Sequence, residues 1–262
     1  MRLLCILLFS ISVAKPALSH EFWIDAQKYQ VETHETVVAD LRNGQYFKGG
    51  ALSWFDRRIA TSLALMGDQR SVMTGRAGDL PALSYQPDQA GLLRLVHQTT
   101  MDTITYREAE KFAAFVAHKD LDPTALEAPS YPLVEGYTRF VKSLVAVGTA
   151  EGNDAPSGLE FEFVALANPY TDVLPRGLPV QLWYQNAPHP DAQIEMFSKS
   201  STGEVTVNQL RTDAKGMVTI PLQPGHQYLL DSVILRHPSN ALLKEKDIAW
   251  ESLWAALTFA RP

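Results

Sequence analysis

The chain has 262 residues, of which 46% are hydrophobic, and a formal net charge of −6 at neutral pH. An acidic chain lacks the basic footprint that nucleic acids require, which argues against nucleic acid as a partner. A chain of this length can bury a full core without disulfides. Its single cysteine, Cys5, lies near the start, so thiolate metal sites and disulfides are not expected in the rest of the chain.

The first 19 residues have the pattern of a secretory signal peptide. Arg2 provides a positive start, an apolar run follows, and Ala17-Leu18-Ser19 places small residues where a signal peptidase cleaves. The apolar run is shorter than the roughly 20 residues of a transmembrane helix, and no later segment supplies one. The sequence therefore predicts cleavage after Ser19, a periplasmic protein without a transmembrane segment, and His20 as the first mature residue.

Mature His20 would offer two nitrogen donors to a metal ion. Its α-amine titrates at about 8, so the proton is lost to a metal at little cost, and the imidazole is the second donor. His97 follows a strand-like run and is the best second ligand among the other histidines, although a structural role is the competing interpretation. The metal candidates are His20 and His97, and nitrogen donors suit nickel, cobalt or copper. No local pair such as His-x-x-His reinforces them.

Runs of β-branched and aromatic residues, separated by turn residues, predict strands in the first half of the chain. Val37–Arg42 is predicted as a strand that ends in a turn at Asn43-Gly44, and Leu92–Val96 is predicted as another. The close spacing of such runs favours a sandwich over alternating strands and helices.

The middle of the chain contains one helical pattern and a break. Apolar residues at helical spacing predict an amphipathic helix over residues 107–119. A long loop is predicted at 120–136, which contains three prolines, and a strand at 137–147. The segment 148–158 has the composition of an exposed linker, so a domain boundary is predicted near residue 155.

Regular alternation of apolar residues in the second half predicts a small antiparallel sandwich. A tight turn is predicted at Thr212–Gly216, and Trp250–Phe259 is predicted as a final strand that packs onto the core. The predicted fold is mainly β with two sandwich-like domains. A β-rich domain with one helix would occupy residues 20–155, and a sandwich resembling a carboxypeptidase-regulatory or immunoglobulin-like module would occupy residues 156–262.

Three stretches carry a resemblance to a known family: His20-Glu21-Phe22-Trp23-Ile24, Thr212–Gly216 and Trp250–Phe259. They resemble domain of unknown function 4198, a family of exported bacterial proteins. The resemblance implies a β-rich periplasmic protein associated with cobalt and nickel uptake, with metal-uptake components of the membrane as partners. His20 is the position that carries over most directly. The chain has Gln45 and Ile234 where many relatives have histidine.

These patterns predict a non-enzymatic protein that binds or delivers a transition metal through His20. Two alternatives stay open. One is a metal-independent binding module for a receptor, an envelope protein or a glycan. The other is a copper-dependent oxygenase, because an N-terminal histidine and a second histidine on a β-sandwich are the arrangement of polysaccharide-oxidising enzymes. Hydrolase chemistry is disfavoured, since the chain has no Gly-x-Ser-x-Gly nucleophile elbow.

Overall fold

A computed structural model describes residues 20–122, 124, 130–241 and 247–262. The predicted signal peptide and part of the predicted loop at 120–136 lie outside the described residues. Among the described residues, no helix is both long enough and apolar enough to cross a membrane. The main elements are β1 (Glu21–Ala26), β2 (Gln30–Val31), β3 (Val37–Gln45), β4 (Lys48–Leu52), β5 (Ile59–Met66), β6 (Gln69–Val72), β7 (Leu83–Tyr85), β8 (Gly91–Thr99), β9 (Asp102–Tyr106), α1 (Ala109–His118), β10 (Leu133–Val147), β11 (Phe161–Ala165), β12 (Leu178–Tyr184), β13 (Ala187–Pro188), β14 (Gln193–Lys199), β15 (Val205–Arg211), β16 (Met217–Ile220), β17 (His226–Arg236) and β18 (Trp250–Arg261).

The described strands form three sheets. In sheet A, β3 pairs with β1 on one side and with β4 and β7 on the other. Sheet B has ten strands, with β15-β14-β17-β18-β10-β8-β5-β6 as its main order and β2 and β9 also paired to β10. Sheet C consists of β11, β12, β13 and β16. The prediction of a mainly β fold is confirmed.

The centre of sheet B is the long strand β10, which pairs in parallel with the C-terminal strand β18. Because β5, β6, β8 and β10 precede residue 155 and β14, β15, β17 and β18 follow it, sheet B contains strands from both sides of the predicted domain boundary. The boundary stays a prediction, and it would divide the chain within one sheet.

Sheet B buries apolar side chains on both of its faces, since successive residues of a strand point in opposite directions. Leu93 and Leu95 of β8 pack with Ile24 of sheet A. Leu92 and Val96 of the same strand belong to a second core, which the apolar residues of sheet C complete. A third cluster lies beneath α1 and comprises Tyr106, Phe112, Phe115, Val116, Leu133, Val233 and Trp254.

The helix prediction is confirmed, because α1 lies within residues 107–119 and buries Phe112, Phe115 and Val116 at helical spacing. The final strand is also confirmed as β18, and Gly216 adopts a positive φ of 69° in the predicted tight turn. These elements follow from local patterns that tertiary contacts do not override.

Two boundary predictions are wrong. β3 continues through Asn43-Gly44, and the hairpin turn falls at Tyr46 and Phe47, whose φ angles are 54° and 58°. Gly44 is instead required by close strand approach, because a Cβ there would collide with the backbone of Lys48. The predicted loop at 120–136 is shorter than expected, since β10 begins at Leu133, where it pairs with β9. Pairing between distant segments cannot be seen in local periodicity.

Candidate functional site

A pocket of about 180 Å³ lies between sheets A and B, close to the start of β1. We call it the intersheet pocket. Its mouth includes the exposed side chains of Phe55 and Arg58. The residues that matter most for its chemistry are Phe22, Leu41, Ile59, His97, Tyr137 and Arg139.

Strand alternation places the polar residues of this pocket. His97 shares a face of β8 with Leu93 and Leu95, and this is the face that packs toward sheet A. Arg139 shares the corresponding face of β10 with Val141. Two polar side chains are thereby inserted into the apolar layer between the sheets, at the end where that layer opens into the pocket.

His97 is the most buried polar residue that lines the pocket. Its relative exposure is 1%, and its Nδ1 atom has no hydrogen-bond partner among the described residues. Ser62 lies directly opposite His97 on β5, and its buried hydroxyl likewise lacks a partner there. Burial lowers the pKa of His97 to about 4, so the imidazole is neutral at physiological pH.

Arg139 brings a buried positive charge to the same pocket. Its side chain donates a hydrogen bond from Nη1 to the backbone carbonyl of His20. The guanidinium carbon lies 4.4 Å from the ring centroid of Trp254 and 5.1 Å from that of Tyr137, which is cation–π geometry. Among the described residues, no carboxylate oxygen lies within 4.0 Å of this guanidinium. Burial lowers the pKa of Arg139, while the negative charges of Asp231, Glu135 and Glu21 oppose that shift.

A second polar group, the Lys119 network, consists of Lys119, Glu195, Asp231 and His118. The Lys119 ammonium pairs with Glu195 and lies 2.8 Å from the Asp231 carboxylate. His118 Nε2 lies 3.1 Å from Glu195. Burial disfavours the charged form of Lys119, but the two carboxylates outweigh burial and raise its pKa. Burial raises the pKa of Asp231.

Glu21 connects the start of β1 to the Lys119 network. It lies on the face of β1 opposite Phe22 and accepts a hydrogen bond from the backbone N–H of Tyr46 at 3.0 Å. Burial, reinforced by the negative charge of Asp231, raises the pKa of Glu21 to about 8. The two faces of β1 therefore differ, since one meets the pocket through Phe22 and the other meets a buried charge network.

The structure places the two predicted metal candidates in different environments. His20 is exposed ahead of β1, whereas His97 is buried in the pocket. Among the described residues, no group of three or more His, Cys, Asp or Glu side chains is arranged to hold a metal ion. Arg139 also lines the pocket, and its charge opposes a cation beside His97. Metal binding by His20 and His97 stays a prediction.

Sequence reasoning missed Arg139, Lys119 and the burial of Glu21. One signal was present, because Arg139 lies on a mostly apolar face of the predicted strand at 137–147. A charged residue on a strand face that is buried is costly without a partner, so its presence marks that face as special. The position of Lys119, at the end of a helix, gave no comparable indication of burial.

Glu135, on β10, gives a pH-dependent prediction. It accepts a hydrogen bond from the Tyr106 hydroxyl at 2.9 Å and another from Ser252, and burial raises its pKa from 4.5 to about 7. The folded protein then holds a proton that the unfolded chain releases above pH 4.5, so stability falls as the pH rises from 4.5 to 7. Across this interval the wild type should lose on the order of 3 kcal/mol of stability through Glu135, and Glu135→Gln should not show that loss.

Urea unfolding at pH 4.5 and pH 8 measures this difference. The exposed Glu151→Gln is the control, since it should leave the pH dependence of the wild type unchanged. If the wild type and Glu135→Gln lose the same stability across this interval, the assignment of the raised pKa to Glu135 is wrong.

Comparison with known proteins gives one family match. A family model described as "Domain of unknown function (DUF4198)" matches residues 17–235. No curated protein matches the chain. Among solved structures, the "D0-D1 domain of Intimin" is 10% identical, with 92% of this chain and 97% of that chain covered, at a TM-score of 0.23. A TM-score of that size does not inform the function or the details of the fold.

Proposed function

The chain belongs to DUF4198, a family whose name assigns no activity, and we propose from the geometry of its own pocket that it is a non-enzymatic binding protein. In this proposal a small organic molecule occupies the intersheet pocket. The observation that carries the proposal is the pair of buried polar side chains, His97 and Arg139, that line this mostly apolar cavity. Buried polar groups usually have hydrogen-bond partners, whereas both of these side chains have hydrogen-bonding capacity that the described residues leave unused.

The shape and lining of the pocket support the same proposal. Ligand sites are concave and mostly apolar, with a few convergent polar groups. Phe22, Leu41 and Ile59 supply the apolar surface here, while His97 and Arg139 supply the polar groups. The location between two sheets allows rigid strands, rather than loops, to hold most of these side chains.

Binding is favoured over catalysis because His97 is isolated. General acid–base and nucleophilic catalysis need a histidine within hydrogen-bond reach of a nucleophile or an orienting carboxylate. Among the described residues, the His97 Nδ1 atom has no such partner, and burial keeps the imidazole neutral. A neutral imidazole still offers one donor and one acceptor to a ligand.

Titration with benzamide, a neutral single-ring probe, tests the proposed function. We expect benzamide to shift the NMR resonances of His97 and Phe22, and Ser53→Trp, which fills the pocket from its rim, to weaken binding at least about tenfold. Ser201→Trp is the matched control, because Ser201 is exposed in the turn between β14 and β15. Unchanged binding by Ser53→Trp would place the probe elsewhere and contradict the proposal.

Transition-metal binding at His20 is a second candidate, favoured by the exposure of that residue. It depends on the proposed signal cleavage after Ser19, which would create the α-amine, and on a periplasmic location with metal-uptake components of the membrane as partners. The neighbouring Arg139 contacts only the backbone carbonyl of His20, so that bond leaves the imidazole unused.

Calorimetric titration of processed protein with nickel, cobalt and copper tests this candidate, once mass spectrometry has established the N-terminal residue. We expect binding tighter than about 10 μM that His20→Ala removes and His97→Ala leaves unchanged, because His97 is buried beside Arg139. Equal binding by wild type and His20→Ala would overturn it.

A further inference from the structure

The charge of Arg139 is buried in the intersheet pocket without a close anionic partner among the described residues, although Asp231, Glu135 and Glu21 act on it from a greater distance. Arg139 is 8% exposed, and the described residues place no carboxylate oxygen within 4.0 Å of it. Its one side-chain hydrogen bond among them goes to the His20 carbonyl. A guanidinium has five N–H donors in a planar fork, so most of its hydrogen-bonding capacity is unused by these residues.

A second buried arginine shows how this fold satisfies such a charge elsewhere. Arg94 is 7% exposed and donates to the backbone carbonyls of Ala155 and Gly67, each at 3.2 Å. Arg94 lies on the face of β8 toward sheet C, and it does not line the intersheet pocket. The two arginines are therefore similar in burial but different in environment, because Arg139 lines the intersheet pocket and Arg94 does not.

The aromatic rings around Arg139 hold the guanidinium in place. Trp254 at 4.4 Å and Tyr137 at 5.1 Å restrict its movement, and an ordered guanidinium loses less freedom when it binds a ligand. Arginine is the side chain best suited to bind a carboxylate through two parallel hydrogen bonds. The preorganised fork thus matches an anionic group that is planar and carries two oxygens.

The size of the pocket limits the rest of the ligand. A cavity of about 180 Å³ is slightly larger than the roughly 150 Å³ apolar cavity that accommodates benzene. Phe22, Leu41 and Ile59 can surround one ring or a branched aliphatic group of similar size. A nucleotide or an oligosaccharide would extend out of the pocket through its mouth.

We infer that the ligand of the intersheet pocket is a small organic monocarboxylate with an apolar body of about one ring, whose carboxylate pairs with Arg139. This inference rests on the proposed function, since it names the ligand class of the same pocket. The apolar body lies against Phe22 and Leu41, and the neutral imidazole of His97 lies along the same wall. The anionic group compensates a buried charge that the described residues leave without a carboxylate partner.

Benzoate and benzamide provide a matched pair of probes, because they differ mainly in the charge of one planar group. Calorimetry should show that the wild type binds benzoate at least about tenfold more tightly than benzamide, the range expected for a hydrogen bond to a charged group. Arg139→Gln should abolish this preference while measurable benzamide binding remains, which also shows that the pocket is folded. Arg94→Gln should keep the preference for benzoate, because Arg94 is a buried arginine outside the pocket.

The outcomes separate this inference from the proposed function. Equal binding of benzoate and benzamide by the wild type, or a benzoate preference that survives in Arg139→Gln, overturns the carboxylate inference and leaves a neutral-ligand pocket in place. Failure of both probes to bind the wild type overturns the proposed function and the inference together. A preference for benzoate that only Arg139→Gln removes supports both.

Discussion

Replacing Lys119 with methionine is expected to destabilise the protein by about 3–5 kcal/mol, the cost of leaving buried charges without their partner. The Lys119 side chain is 2% exposed, and the two carboxylates that it pairs with are 5% and 1% exposed. Removing the ammonium leaves Glu195 and Asp231 facing each other across β14 and β17. Denaturant unfolding at neutral pH, with the change in midpoint and slope analysed separately, measures the loss.

Lys111→Met is the matched control for this prediction. Lys111 lies on the same helix and pairs with Glu108, but the two side chains are 55% and 58% exposed. Exposed ion pairs contribute about 0–1 kcal/mol, so this variant should unfold close to the wild type. Equal losses of stability in the two variants would show that the effect of Lys119→Met does not come from the burial of the Lys119 network.

Trp254→Ala is the second substitution expected to have a large effect, with a loss of about 3–5 kcal/mol. Trp254 is 2% exposed and lies between the cations of Lys119, at 4.8 Å, and Arg139, at 4.4 Å. Its indole N–H also donates to Ser252 at 2.9 Å. The substitution therefore removes core volume and the ring that orients the guanidinium, and benzoate affinity should fall with stability.

Two further variants separate these effects by thermal unfolding and calorimetry. Trp254→Phe keeps an aromatic ring and should retain most of the stability and the preference for benzoate. Trp250→Ala removes a partly buried indole from the same strand, stacked 4.3 Å from His237, and should cost less than Trp254→Ala. If Trp254→Ala keeps the wild-type preference for benzoate, its ring is not required to orient Arg139.

Much of the fold was predictable because its signals are local. Apolar runs predicted the strands that became β8 and β18, and helical spacing predicted α1. The exact ends were harder, as β3 shows, because Gly44 serves strand approach rather than a turn. The arrangement of β10 beside β18 joins residues more than 100 positions apart, and no local pattern encodes such a pairing.

The candidate site was less predictable than the fold. His97 was identified from its position after a strand-like run, but its burial depends on the packing of sheet A over sheet B. Arg139 could have been identified from its place on a mostly apolar strand face. The surroundings of Arg139 are formed by Trp254, Tyr137 and the chain near His20, which come from three separate parts of the sequence. Its lack of a carboxylate partner among the described residues could therefore not be predicted from any one of them.

His20 has a structural contact that the sequence did not predict. Its exposed position keeps the metal-chelation proposal open, while its backbone carbonyl accepts a hydrogen bond from Arg139 at the edge of the pocket. The start of the proposed mature chain is thus coupled to the pocket through one backbone contact. Substituting the His20 side chain should therefore leave ligand binding in the pocket unchanged.

The central claim is that a small ligand occupies the intersheet pocket, and intermolecular NOEs with bound benzoate test it most directly. We expect NOEs from the benzoate ring protons to the side chains of Phe22 and Leu41, and none to Leu222, which packs with the core on the other side of sheet B. NOEs confined to residues outside the pocket, or their absence at saturating benzoate, would contradict it.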